Sequence, residues 1–142
     1  MAETKIRTRN AGASAVLQGV GLTHVTTPTG GEMKVITSVN EPGFSPLDLL
    51  YASLASCLVL SARAAASRLG VLHKLEGVRA DVTGEKAPDE PSRVARFHIV
   101  FAIDGPIDLP DREAIVKAAE TEICTISNTL HGNPGFVTRL EE

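Results

Sequence analysis

Between Asp48 and Arg63 the chain carries no charged side chain: Leu49-Leu-Tyr-Ala-Ser-Leu-Ala-Ser-Cys57-Leu-Val-Leu-Ser-Ala62. Its borders are those of a helix. Ser45 is a capping residue, Pro46 suits the first helical position, and Asp48 stands three residues after the cap. Arg68 falls in the last turn and Gly70 just beyond it. About twenty-four helical residues would be roughly 36 Å long at 1.5 Å per residue. A helix apolar on nearly every side has to be surrounded by protein. The small residues Ala52, Ser53, Ala55 and Ser56 permit another element to approach closely. The uncharged run is too short to span a bilayer, so no membrane partner is expected.

The remaining segments fit around that helix. A length of 142 residues suggests a single domain, 1–142, with a real core. With 43% hydrophobic and 22% charged residues, wholesale disorder is excluded, and only 4% aromatics means an aliphatic core. Strand-like stretches run from Ala13 to Val20, Leu22 to Thr27 and Met33 to Val39, with a turn at Pro28-Thr-Gly-Gly-Glu, which predicts an antiparallel meander. After the helix, Leu75 to Lys86 and Val94 to Asp104 alternate as half-buried strands. A second helix is predicted from about Asp111 and a short one over Ile126 to Leu130. A tail strand is predicted over Gly135 to Leu140.

Charge and motifs narrow the function classes. A net charge of −3 without a Lys/Arg cluster argues against nucleic acid as a partner. His24, His73, His98 and His131 have no metal-ligand spacing with one another or with the cysteines, and no phosphate loop, dinucleotide fingerprint or serine elbow is present. The polar N-terminus has no apolar signal core, which leads to the expectation of a cytoplasmic protein. In a reducing compartment, two cysteines are usually free thiols or a catalytic pair.

Those two cysteines are Cys57 and Cys124. On the helix, Ser53 and Ser61 flank Cys57 one turn to either side. A small core residue is one reading of Cys57. The two hydroxyls favour the other, a reactive thiol, which needs a cation or a helix N-terminus to ionise. Its own helix offers no cation within a turn. Cys124 lies at a break between two helical patterns, where backbone N–H groups could stabilise a thiolate. Asp48 is nine residues before Cys57, about half a turn out of phase and roughly 13.5 Å away along the axis, so the two cannot touch within one helix. Capping with Ser45 is a sufficient role for Asp48.

Gly43-Phe-Ser-Pro-Leu-Asp-Leu-Leu-Tyr-Ala-Ser-Leu-Ala-Ser-Cys57 and Cys124-Thr-Ile-Ser-Asn-Thr-Leu resemble the two cysteine segments of the OsmC/Ohr family, thiol-dependent peroxidases that act on organic hydroperoxides. The resemblance is to a general OsmC-like branch. Leu47 stands where the Ohr branch has Glu, the acid being Asp48 one position later, and Thr125 stands where the family often has Pro. It implies an α+β fold, an intertwined homodimer with curved antiparallel sheets wrapped around long central helices. It further implies that Cys57 attacks the peroxide and that Cys124 resolves the sulfenic acid to a disulfide, which an external dithiol reduces. Asp48 would orient or polarise the site from the second subunit. The activating arginine, near the N-terminus in the family, would be Arg7 or Arg9. No metal, haem or nicotinamide is implied. The alternative is a non-catalytic carrier or sensor of an apolar small molecule at the dimer interface.

Overall fold

The computed structural model describes residues 11–38 and 40–142 of a mixed α+β chain, which falls into two compact units, Met1–Leu49 and Leu50–Glu142. In the first, β1 (Ser14–Val16), β2 (Thr23–Thr26) and β3 (Glu32–Val35) form the expected antiparallel meander, with Val16 opposite His24 and Val25 opposite Met33. The strands are shorter than their β-branched runs. Gly19, at φ 62°, and a turn closed by the Gly21 N–H on the Gln18 carbonyl end β1 early. Between β2 and β3, Gly30 takes φ 97° and the Gly31 N–H donates to Thr27 Oγ1 at 2.8 Å. A residue with a Cβ is disfavoured at that φ.

The charge-free run is helix α1 (Pro46–Arg68). Its start is a reciprocal capping box: the Asp48 N–H donates to Ser45 Oγ at 3.2 Å, and the Ser45 N–H donates to Asp48 Oδ2 at 2.9 Å. Its end is a Schellman motif, in which Gly70 takes φ 73° and the Val71 N–H reaches the Ala66 carbonyl at 2.9 Å. A single stripe of the helix is buried, formed by Leu54, Leu58, Ser61, Ala62, Ala65 and Ala66. Away from that stripe the apolar surface continues, and Leu60 is 67% exposed. The sequence predicts protein on every side, but among the described residues only one side is covered. By length and composition alone α1 would also pass as a membrane span. Its buried stripe, however, packs on protein along two core clusters.

In the second unit, β4 (Gly77–Lys86) and β5 (Val94–Asp104) form an antiparallel hairpin after a 3-10 turn at Leu72–Lys74. Alternation sorts its faces as the sequence predicts. Val78, Ala80, Val82, Phe97, Ile99, Phe101 and Ile103 face inward, while Arg79, Asp81, Arg96, His98 and Val100 face out. Gly84 leaves room for the Tyr51 ring, which would collide with any Cβ there and which meets Phe97 edge-on at 6.1 Å. Helix α2 (Leu109–Ala118) begins two residues before the expected Asp111, because the side chain of Asp108 accepts the Asp111 N–H at 2.9 Å and so caps the helix earlier. One core cluster joins Ala62, Ala65 and Ala66 of α1 to Ile103, Ile107, Ile115 and Ala119.

Beyond Ala118 the helix widens into a π-helical turn (Ala119–Ile123), and after Cys124 it resumes as α3 (Thr125–His131). The predicted tail strand does not form. Residues 133–142 pair with no strand among the described residues, and Phe136, Val137 and Leu140 stand 94%, 104% and 91% exposed. Propensity alone does not make a strand; a ladder partner is required.

Candidate active site

Cys57 projects from the middle of α1, and the chain returns to it more than sixty residues later at Cys124. The π turn sets up the return. Its wider ring is closed by the Cys124 N–H on the Ala119 carbonyl at 2.9 Å, a bond spanning five residues rather than four. Cys124 then leaves helical geometry, with φ −67° and ψ 108°. Its sulfur caps α3 by accepting the Ser127 N–H at 3.3 Å. The corner is held by side chains on both sides. Ser127 Oγ donates to the Glu120 carbonyl at 2.9 Å, Asn128 Nδ2 to the Glu122 carbonyl at 3.1 Å, and Arg68 of α1 pairs with Glu122 at 3.2 Å. That last pair is exposed on both sides and contributes at most about 1 kcal/mol.

The two thiols belong to one cluster. Cys124 is fully buried with Leu54 and Leu58, and a half-buried Cys57 packs against them together with Ala80, Val82, Phe97, Ile99, Phe101 and Ile126. Both cysteines are free.

Their ionisation differs in direction. At Cys57, burial opposes the thiolate, but four donors outweigh it: the Cys124 thiol, the Ile126 N–H, the Ser61 hydroxyl and the Thr125 N–H. Together they hold Cys57 below the ordinary thiol range. At Cys124, burial comes first. The hydrogen bond to Cys57 and the negative charge there then add to it, outweighing the N–H groups of Ser127 and Ile126, so Cys124 is pushed up. The helix start does serve Cys124, through the N–H groups of Ser127 and Ile126, but burial outweighs them. The N–H groups of Thr125 and Ile126 serve Cys57 as well, and Ile126 acts on both sulfurs. Three of the four donors at Cys57 come from outside its own helix, from the segment that carries the second cysteine, and the fourth, Ser61, is on α1.

The sign of the pH effect follows. Lowering pH protonates Cys57 last among ordinary thiols, and raising pH ionises Cys124 later than an ordinary thiol. Alkylation of reduced protein, followed by peptide mapping over a pH series, is expected to give Cys57 an inflection below the free-cysteine reference of about 8.5. Cys124 is expected to stay protected past it. Coincident inflections at the reference would contradict this environment.

The other expected site residues are distributed differently. Asp48 sits in the first turn of α1, inside the capping box, where the bonds from the Ser45 backbone and side chain hold its carboxyl below the usual range. Arg7 and Arg9 lie outside the described residues. Ser61 and the N–H groups of Thr125 and Ile126 had not been assigned to the site. The flanking hydroxyl of Ser61 was visible in the sequence, whereas the N–H groups become visible only once the chain folds back. Among the described residues no cluster of three His, Cys, Asp or Glu side chains could hold a metal ion.

The OsmC-like protein family matches residues 39–139, which takes in α1, the hairpin, α2, α3 and both cysteines. The chain belongs to the OsmC family. Solved structures agree on the fold. An OsmC-like protein from Mycoplasma pneumoniae superposes with a TM-score of 0.76 at 18% identity, covering 89% of this chain and 90% of that one. An organic hydroperoxide resistance protein from Elizabethkingia anophelis gives 0.72 at 18% identity, covering 89% and 91%. A further organic hydroperoxide resistance protein, from Legionella pneumophila, gives 0.64 at 24% identity, covering 90% and 93%. None of the proteins of curated function matches this OsmC-family chain in sequence. At these identities the solved structures speak to the fold, and the chemistry rests on the chain's own residues.

Proposed function

We propose that this OsmC-family protein is a homodimeric, cysteine-based peroxidase that reduces organic hydroperoxides. The observation that carries the proposal is the meeting of the two free thiols in one cluster, with Cys57 favoured as thiolate and Cys124 as thiol. A thiolate suits the sulfur that attacks first, while Cys124 keeps its proton in the reduced pair and gives it up when it attacks in turn.

In the first step the Cys57 thiolate attacks one oxygen of the O–O bond. The S–O bond forms, the O–O bond breaks, and the alkoxide leaves as an alcohol after taking a proton, so sulfur is oxidised to the sulfenic acid and the peroxide is reduced. Cys124 then attacks the Cys57 sulfur. The S–S bond forms and the S–O bond breaks, with water carrying away the hydroxyl and the thiol proton. An external dithiol returns both cysteines to thiols and is itself oxidised to a disulfide. The apolar residues around the pair, Leu54, Leu58, Val82, Phe97 and Ile99, suit an alkyl or lipid chain better than a small polar peroxide.

A homodimer is supported by the exposed apolar surface of α1, with Leu60 at 67%, which a second subunit would cover. In that assembly Asp48 would act electrostatically from the partner, and Arg7 or Arg9 would bring positive charge to the pocket. No metal, haem or nicotinamide enters the cycle, and a cytoplasmic location suits recycling by a dithiol.

One observation favours the binding alternative. A recess of about 370 Å³ between β5 and α3 is walled by Leu54, Phe97, Ile99 and Leu130 together with Arg96, Glu120 and His131, and borders the cysteine cluster. Treating reduced protein with one equivalent of an alkyl hydroperoxide and counting thiols separates the two. The peroxidase is expected to lose two thiols per chain and to yield a Cys57–Cys124 linked peptide pair. If both thiols survive, the catalytic reading fails and the binding one stands.

A further inference from the structure

Hydroxyl side chains on these helices usually return their proton one turn back. Ser56 gives its own to the Ala52 carbonyl at 2.7 Å, and Thr121 and Thr129 give theirs to Lys117 and Thr125, both at 2.6 Å. Ser127 breaks the pattern. It is 3% exposed, and its hydroxyl reaches across the break in the helix to the Glu120 carbonyl, seven residues back, at 2.9 Å. The π turn leaves that carbonyl available. In an unbroken α-helix it would accept the Cys124 N–H, which here donates to the Ala119 carbonyl at 2.9 Å. The Glu122 carbonyl is in the same position. Its α-helical partner would be the Ile126 N–H, and it accepts Asn128 Nδ2 at 3.1 Å instead. Two neighbouring side chains of α3 thus occupy two carbonyls that the widened turn leaves over.

The backbone of Ser127 carries two further bonds. Its N–H donates to the Cys124 sulfur at 3.3 Å, and its carbonyl accepts His131 Nδ1 at 2.9 Å. One buried residue therefore ties together the turn before Cys124, the sulfur itself and the last turn of α3. A ring with one residue more than an α-helical one turns everything after it by about 100°. In that orientation Cys124 clusters with Leu54 and Leu58, and Cys57 packs against them. We infer that Ser127, with Asn128 beside it, is a positioning residue for Cys124. By occupying the Glu120 and Glu122 carbonyls, the two side chains keep the π turn from closing to an α turn, which would swing the Cys124 sulfur away from Cys57. The effect on resolution of a sulfenic acid rests on the peroxidase reading, whereas the hold on the register does not.

The test follows the full chain in mixtures of reduced and oxidised glutathione. Two protein thiols and one glutathione disulfide there give the Cys57–Cys124 disulfide and two glutathione thiols. In Ser127→Ala the Cys124 N–H can return to the Glu120 carbonyl. The equilibrium is expected to move about ten-fold toward the dithiol, or about 30 mV, the upper end of what one net hydrogen bond contributes. Asn128→Ala, at an exposed position, is expected to move it about three-fold in the same direction. Ser127→Thr keeps the donor and is expected to restore the parent value. A change that only loosens the fold weakens the oxidised and reduced proteins alike and leaves the equilibrium in place. An unmoved equilibrium in Asn128→Ala, or in a folded Ser127→Ala, overturns the inference. So does a folded Ser127→Thr that behaves like alanine, or a parent chain that forms no Cys57–Cys124 disulfide in the buffer. No peroxide enters this measurement. Failure of the peroxidase reading would instead show as thiols that survive hydroperoxide, with the shifts in glutathione intact.

Discussion

Cys57→Ser is expected to bring dithiol-dependent hydroperoxide consumption down to the rate of the dithiol alone. The drop would be on the order of 10⁴-fold or more, the scale seen when an enzyme loses its nucleophile. A serine hydroxyl in the same place is not ionised at neutral pH and does not attack an O–O bond. The environment that lowers the Cys57 pKa is built from neutral hydrogen-bond donors: a thiol, a hydroxyl and two backbone N–H groups. Its fold should therefore tolerate serine, which can be hydrogen-bonded in the same way. Melting near the parent temperature is the expected control. A Cys57→Ser protein that still turns over peroxide would move the chemistry away from α1 altogether.

The second large effect distinguishes two substitutions of Cys124. Either Cys124→Ser or Cys124→Ala abolishes disulfide formation, so steady-state turnover through the intramolecular disulfide is lost in both. One equivalent of peroxide is then consumed, and Cys57 is left as a sulfenic acid that a small-molecule reagent can trap. The first turnover should separate them. Serine still caps α3, accepting the Ser127 N–H, and still donates to Cys57. Alanine does neither. Losing the donor raises the Cys57 pKa and reduces the thiolate fraction at neutral pH. Because a more basic thiolate is also the better nucleophile, about half of that loss is recovered. A first step about three-fold slower in Cys124→Ala than in Cys124→Ser, measured by stopped flow, is the expected result. Equal rates would mean that Cys124 resolves and does nothing earlier.

How much of this was legible in the sequence differs from one element to the next. The limits of α1 were legible because local chemistry sets them. Ser45 and Asp48 are close in sequence, and their reciprocal bonds need no tertiary partner, while Gly70 supplies a left-handed residue where the helix stops. The faces of β5 were legible for a similar reason, since alternation is a property of the strand itself. The start of α2 was placed late because Leu109 and Pro110 read as loop, although Asp108 before a proline is itself a cap signal. The tail strand was over-read, because Phe136 to Leu140 has the composition of a strand and no ladder among the described residues.

The candidate site was legible in its members and only partly legible in its electrostatics. Sequence places both cysteines on helices and notices the flanking hydroxyls. It assigns the α3 N–H groups to Cys124 because they are its neighbours along the chain. How far each sulfur benefits is decided by where α1 passes, and that is a tertiary fact: the N–H groups of Thr125 and Ile126 also serve Cys57, while at Cys124 burial outweighs the N–H groups of Ser127 and Ile126. The π turn was likewise invisible, since a single widened ring leaves no compositional trace.

The help that the Cys124 thiol gives to ionisation of Cys57 has a consequence for recovery after oxidation. While the disulfide exists, neither sulfur carries a proton to lend, and the N–H groups at the start of α3 face no thiolate. Reduction restores the Cys124 proton and, by the same event, the charge on Cys57. Restoring the resolving partner and rearming the attacking one are thus a single step. A small thiol lodged on Cys124 alone would remove that donor and slow Cys57 without touching it.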